Sequence, residues 1–280
     1  MKLKITSDST CDLGGLVEKY NIGIMPLNVH LDMETYNDGV DITPEDIFAF
    51  VERTKMLPKT SARSQDDYEN FFAKYLEEAD EVLHFSISTK SSVSHNVAKA
   101  AAEKFGGKVV VIDSKALSSG QGLLVAKAAD LLNEGKSMAE IVEIIEPLRD
   151  KVNTSFVPDR LDYLYKGGRC SRMAMYGANL LGIHPLIEMH DGQLGAGGKL
   201  KGRMSGCIRK YIDYLKEKYP AYDKTRCFVT HSCADPELVE LAKQKVKECF
   251  DFDEIVETVA GSVVTGHCGR NTLGVLFITE

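Results

Sequence analysis

Glu81-Val82-Leu83-His84-Phe85-Ser86-Ile87-Ser88, followed by 92–105 and then by Val109-Val110-Val111-Ile112-Asp113, reads as strand, helix and strand in succession. The outer runs are short and apolar, as strands in a covered sheet are. Between them Val93, Val97 and Ala101 make one apolar stripe at helical spacing. This is the repeating unit of an open α/β sheet, and the flanking sequence continues it. Residues 2–7 read as a strand, 12–20 as a helix and 22–31 as a second extended run. Thr43 then supplies an N-cap, Pro44 the first helical position and Glu45 with Asp46 an acidic first turn, ahead of Ile47, Phe48, Phe50 and Val51. Ser64 with Asp66 and Asp67 repeats the device, and helices are expected over 120–132 and 137–149.

The second half is more mixed. A strand over 152–157 precedes the loop Lys166-Gly167-Gly168-Arg169. Residues 185–189 and 193–201 are expected to pair as a hairpin, because Asp191-Gly192 supplies the positive φ angles of a type I′ turn. A helix over 205–218, a strand over 226–230, a helix capped by Asp235-Pro236-Glu237 and strands over 255–259 and 273–279 complete the chain. The expected fold class is α/β in two domains, 1–152 with a mostly parallel sheet and 153–280 with a mixed sheet.

Composition narrows the function. The 280 residues are 44% apolar and 27% charged, with no apolar run of the length a bilayer helix requires. The start, Met1-Lys2-Leu3-Lys4-Ile5, lacks the apolar core of a signal peptide, so a cytoplasmic protein is expected. The seven cysteines are scattered without a C-x-x-C pair, and the seven histidines lack metal-ligand spacing, so free thiols and no metal are expected. A net charge of −7 argues against nucleic-acid binding. Yet residues 166–210 carry +6 and the rest −13, an asymmetry that reads either as a solvated face or as a surface for an anionic partner.

Nucleotide signatures are absent. Gly135-Lys136-Ser137 ends like a P-loop, but Asp130 stands where that loop needs glycine. Gly195-Ala196-Gly197 has Leu200 in place of its third glycine, and it lies in a hairpin. No G-x-S-x-G elbow is present. No cofactor is therefore expected.

Four polar clusters fall at predicted strand-to-helix junctions, where α/β proteins place ligands. Thr6-Ser7-Asp8-Ser9-Thr10 reads as a turn and cap or as a ligand contact. In Lys59-Thr60-Ser61-Ala62-Arg63-Ser64, Ser64 is the better helix cap, which leaves Thr60 unexplained by capping. The run from Ser86 to Ser94 holds more hydroxyls than one helix cap needs, and hydroxyls beside free N–H groups suit an anion. The stretch 261–269 holds His267 with no acid in the segment to orient it.

Taken in order, these clusters resemble the DegV family of bacterial lipid-binding proteins. Ser7-Asp8-Ser9-Thr10 is similar to the family's S-D-S-[ST], Thr60 to Ser64 to T-S-Q-P-S, Ile87 to Ser94 to I-S-S-G-L-S-G-T, and Lys166 to Ser171 to K-G-G-R-I-S. His267, Gly269 and Gly274 match H-T-G-P-G-x-x-G, while Cys268, Arg270 and Asn271 depart from it, as Lys90 and Val93 depart from glycine earlier. The resemblance implies a long-chain fatty acid in a tunnel between two α/β domains, its carboxylate held by Thr60, Ser92 and His267. Ser61, Ser91 and Arg270 are then further head-group neighbours. It also implies a carrier rather than an enzyme, one that presents the fatty acid to a separate ATP-dependent fatty-acid kinase for acyl-phosphate formation. Arg169, Arg172 and Arg203, in the basic segment, are expected to dock that kinase or an anionic membrane. The competing expectation is a hydrolase or acyltransferase using Ser92 or Cys268 with His267.

Overall fold

The computed structural model describes residues 1–169 and 182–280. In chain order its strands are β1 (Leu3–Asp8), β2 (Gly23–Met25), β3 (Asn28–Leu31), β4 (Glu34–Asn37), β5 (Lys59–Ser61), β6 (Glu81–Ser86), β7 (Val109–Asp113), β8 (Val152–Asn153), β9 (Ser155–Val157), β10 (Ile183–His190), β11 (Gln193–Lys201), β12 (Tyr222–Ser232), β13 (Glu254–Val259) and β14 (Thr272–Thr279). Its α-helices are α1 (Leu16–Lys19), α2 (Pro44–Thr54), α3 (Gln65–Leu76), α4 (Ser94–Ala102), α5 (Ser119–Asn133), α6 (Met138–Leu148), α7 (Asp162–Lys166), α8 (Met204–Lys218), α9 (Pro236–Cys249) and α10 (Ser262–Cys268).

The strands form three sheets. The first, β2-β1-β6-β7, is parallel throughout. The second, β11-β10-β9-β14-β12-β13 with β8 also on β14, is antiparallel except for β12 with β13. The fold is thus α/β with a parallel N-terminal sheet and a mixed C-terminal one. The third sheet, β4-β3-β5, is small and antiparallel.

Helix α5 joins the two large sheets. It is buried along most of its length, and its Leu123, Leu124 and Ala128 share one core with Ile5, Leu83 and Phe85 of the first sheet and Phe228, Leu276 and Ile278 of the second. Such an all-round apolar helix belongs inside a protein. The outer faces are closed by α3 and α4 on the first sheet, through Tyr68, Phe72, Ala98 and Ala101, and by α8 and α9 on the second, through Ile208, Tyr211, Ile212 and Val239.

The cap readings hold at α2 and α3, where Thr43 and Ser64 accept from the N–H groups of Asp46 and Asp67. Asp191 and Gly192 take φ of 45° and 75°, so the hairpin β10–β11 turns as its sequence predicts. Three readings need correction. The helix expected over 12–20 shrinks to α1, because Asp12 is left-handed at φ 42° with its carboxylate committed to Gly261 N–H and the Ser118 hydroxyl. The extended run 22–31 is split into β2 and β3, which lie in different sheets. The helix expected from residue 92 begins at Ser94, with Val93 at the N-cap and no side-chain cap.

Candidate functional site

Thr60 is positioned by the small sheet. In β5 it pairs with Val29 of β3, and the two-residue alternation of a strand turns its neighbour Ser61 to the opposite face. There the Ser61 hydroxyl meets His30 Nε2 at 3.0 Å and accepts from Asn28 Nδ2 at 3.2 Å. Thr60 instead meets His267, with Oγ1 2.9 Å from Nε2. His267 sits near the end of α10, a helix for which the local sequence carries no signal. The N-terminus of α10 is tied to the first half: Asp38 accepts from the N–H groups of Ser262 and Val263, and Asp12 accepts from Gly261 N–H. Burial pushes the Asp12 carboxyl up to about 8 and raises Asp38 as well. Neither residue carries a local sequence motif, since each acts on a partner more than 200 positions away.

Protonation follows from these contacts. His267 is held neutral, pushed down to about 4 by burial first and by the charge of Arg169 second. Its Nδ1 is enclosed without a hydrogen-bond partner and lies against Gly167, where even a Cβ would stand 2.7 Å from it. A proton on Nδ1 would be a buried unpaired donor, so the proton belongs on Nε2, where it is donated to Thr60 Oγ1. That leaves the Thr60 hydroxyl proton for another acceptor.

The second hydroxyl group comes from the loop between β6 and α4. The Ser88 carbonyl accepts from Ser91 N–H at 2.9 Å and Ser92 N–H at 3.0 Å, folding the loop into a tight turn. Asp8, fully buried and raised by that burial, accepts from Ile87 N–H at 2.8 Å and fixes the loop from below. The Ser7 to Thr10 cluster is therefore a scaffold, and none of its side chains lines the cavity described next. Ser92 Oγ lies 2.9 Å from Ser94 Oγ and accepts from Ser94 N–H at 3.2 Å. A hydroxyl has one donor and two acceptor positions, so these contacts can fill its acceptor side and leave the proton for a ligand.

Both groups border a cavity of about 490 Å³ between the sheets, within the ~300–1,000 Å³ of small-molecule sites. The exposed lining residues Ser61, Lys90, Val93 and Arg169 mark its open end. Deeper in, Leu27, Ile87, Phe156, Leu164, Leu194 and Leu276 form an apolar wall. Ser118, Thr230, Ser232 and Thr272 also line it, but each turns its hydroxyl into the protein. Ser118 donates to Asp12, Thr230 pairs with Ser119 and Thr258, Ser232 donates to Thr265, and Thr272 donates to the Cys268 carbonyl. The deep cavity therefore presents mainly carbon to an occupant, and the open end presents donors.

The expected site residues are only partly brought together. Thr60, Ser61, Ser91, Ser92, His267 and Arg169 line the cavity. Arg270 does not: its guanidinium stacks 4.3 Å from the centre of the Phe48 ring. Arg203 is exposed before α8, and Arg172 lies outside the described residues. Arg169 is read from sequence as a docking residue, yet it is the cation beside His267. Neither of the two expected nucleophiles is activated. Ser92 pairs with Ser94 rather than with His267, and burial pushes the Cys268 thiol up to about 12. Among the described residues, no group of side chains has the makings of a metal site, and no helix is long and apolar enough to cross a membrane.

Comparison with known proteins places the chain in a family. A model described as "Uncharacterised protein, DegV family" matches residues 2–280. The chain belongs to the DegV family. A DegV domain-containing protein of Clostridium acetobutylicum is 34% identical, over 100% of this chain and 99% of its own. A solved structure of a DegV-family protein from Thermus thermophilus, described by its fatty-acid binding, superposes with a TM-score of 0.92 at 30% identity, covering 100% of both chains. A stearic acid-binding protein from Eubacterium ventriosum gives 0.85 at 31% identity, covering 99% and 98%.

The departures from the DegV pattern are structurally mild. Lys90 and Val93 are not among the positive-φ residues, so neither position requires glycine. Asn271 is left-handed at φ 60°, and asparagine is the side chain that best tolerates that region after glycine.

Proposed function

We propose that this protein binds a long-chain fatty acid in the cavity between an N-terminal half (1–152) and a C-terminal half (153–280), with the carboxylate at Thr60, Ser92 and His267. The observation that carries this reading is the division of the cavity into a carbon-lined interior and a hydroxyl-lined opening. A sixteen-carbon tail would bury about fourteen CH₂ groups, roughly 11 kcal/mol at ~0.8 each, before the costs of ordering and association. The tail supplies affinity. Thr60 and Ser92 supply two donors, His267 fixes the first of them, and Arg169 supplies positive charge nearby.

Native mass spectrometry of the freshly purified protein tests this directly. A bound C14–C18 fatty acid is expected, and repeated preparations without one would sink the reading. The enzyme alternative is weaker, because among the described residues that line the cavity no serine or cysteine hydrogen-bonds to His267.

Presentation of the carboxylate to a separate ATP-dependent fatty-acid kinase follows the family resemblance. It fits a head group at the open end and a chain without a nucleotide motif. With such a kinase and ATP, palmitate-loaded protein should yield an acyl phosphate that hydroxylamine traps. Arg203→Glu should slow that transfer with palmitate affinity unchanged. An unaltered rate would remove Arg203 from the surface that docks the kinase, and unaltered binding of Arg203→Glu to anionic vesicles would remove it from a membrane-docking surface.

A further inference from the structure

Ser88 is one residue to which the head-group loop owes its shape, and it also touches the other half of the molecule. It is fully buried at the end of the first sheet's β6. Its N–H donates to the Ala116 carbonyl at 2.9 Å, and its own carbonyl holds the N–H groups of Ser91 and Ser92. Its hydroxyl accepts from Lys90 N–H at 3.2 Å and donates to the carbonyl of Gly192 at 2.7 Å. Gly192 is the second residue of the β10–β11 turn, and a Cβ there would stand 2.5 Å from Ser88 Oγ. Lys115 also reaches the turn, its Nζ 2.7 Å from Asp150 and 3.7 Å from Asp191. Two residues beyond the turn, Leu194 forms part of the cavity wall and packs with Phe156, Leu164 and Ile187.

We propose that Ser88 is a positioning residue for the carboxylate site and that its bond to Gly192 is a latch between that site and the β10–β11 hairpin. With the latch closed, Ser88 holds the loop so that Ser91 and Ser92 border the opening, and Leu194 closes the wall. When the hairpin tip lifts, the wall parts and the loop loses its outer anchor in the same movement, so tail and head group are freed together. The device is plain in the structure: the Gly192 carbonyl at a tight turn meets a fully buried serine.

This inference rests on the fatty-acid reading, and the experiment separates the two. Exchange of bound palmitate for a fluorescent fatty acid is followed on wild type and on Ser88→Ala, which removes the latch hydroxyl and leaves Gly192 and its left-handed turn as they are. Palmitate release should rise roughly tenfold, the effect of about one lost hydrogen bond. Equal rates in the two proteins overturn the latch. Release of hexadecanol, which has the tail without the carboxylate, should rise as well, because the wall parts with the latch, but by less than that of palmitate. An unchanged hexadecanol rate overturns the latch, and an equal rise for both ligands overturns the positioning role of Ser88. Wild-type protein that takes up no palmitate at all would instead refute the fatty-acid reading itself.

Discussion

At the open end of the cavity Thr60 and Ser92 can keep a hydroxyl proton for an outside acceptor, whereas in the wall Ser118, Ser232 and Thr272 give theirs to the protein and Thr230 is paired with two further hydroxyls. The residue types are the same. What separates them is the neighbour: at the mouth a histidine Nε2–H, or a backbone N–H with the Ser94 hydroxyl, can fill the acceptor side, and in the wall a carboxylate, a carbonyl or buried hydroxyls take up the bonding capacity. Serine and threonine can thus line a lipid cavity without making it polar, because a hydroxyl with a buried partner leaves its CH and CH₃ groups to face inward.

The comparison breaks most visibly at the mouth. Removing both donors with Thr60→Val and Ser92→Ala deletes two charge-assisted bonds of about 1.5–3 kcal/mol each. Palmitate affinity should fall by roughly 10² to 10⁴, while the thermal midpoint of lipid-free protein falls by only a few degrees, the cost of leaving the His267 Nε2–H without Thr60 as acceptor. Calorimetric titration checks the first and a melting curve the second. A double variant that still binds palmitate as wild type does would place the carboxylate elsewhere.

His267 adds a pH dependence of known sign. The folded protein keeps it neutral down to about 4, while in the unfolded chain it titrates near ~6.5. Between these values the unfolded state binds a proton that the folded state refuses. Stability should therefore fall as the pH drops from about 6.5 to about 4, by up to about 3 kcal/mol at ~1.4 kcal/mol per unit. Above that window His267 contributes no slope. Denaturant titrations of lipid-free wild type and His267→Gln across pH 4–7.5 isolate the contribution, since the other buried histidines and acids are common to both. Parallel curves would show that His267 is not held neutral.

The wall should respond in the opposite way to the mouth. Thr230→Val keeps the shape and strands the hydroxyls of Ser119 and Thr258, at a cost of about 1–3 kcal/mol in folding stability. Palmitate affinity should remain within about twofold. A binding loss as large as that of a mouth variant would erase the distinction between the two regions.

This distinction marks the limit of what the sequence makes legible. The α/β class, the parallel and mixed sheets, the caps of α2 and α3 and the Asp191-Gly192 turn all follow from local pattern, and local pattern is enough for them. Hydroxyl-rich loops beside helix starts are also visible. Which hydroxyl faces a ligand is not, because the answer lies in contacts such as Thr60 with His267 or Thr230 with Ser119, each spanning more than 100 positions. Helix α10 is missed for the same reason: Gly261 to Gly269 is a weak helical sequence, and Asp12 and Asp38 hold its first turn from the other end of the chain. The family pattern names residues that this physics alone leaves open. It also draws attention to Arg270, where a proline is replaced, although the arginine that lines the cavity beside His267 is Arg169.

That exchange of cations gives the smallest and most discriminating effect. Arg169 is exposed at the opening, so water and salt screen it, and an exposed pair of charges contributes about 0.2–1 kcal/mol. Arg169→Met, which keeps the apolar stem, should weaken palmitate roughly two- to fivefold at low ionic strength, with the difference fading as salt is added. Arg270→Ala should leave affinity unchanged, because its guanidinium rests on Phe48. A second readout distinguishes electrostatics from packing. The charge of Arg169 lowers the His267 pKa, so Arg169→Met should raise it in an NMR titration of lipid-free protein, while Arg270→Ala should not. If Arg169→Met moves neither the salt-dependent affinity nor the histidine titration, the positive charge at the head group comes from elsewhere.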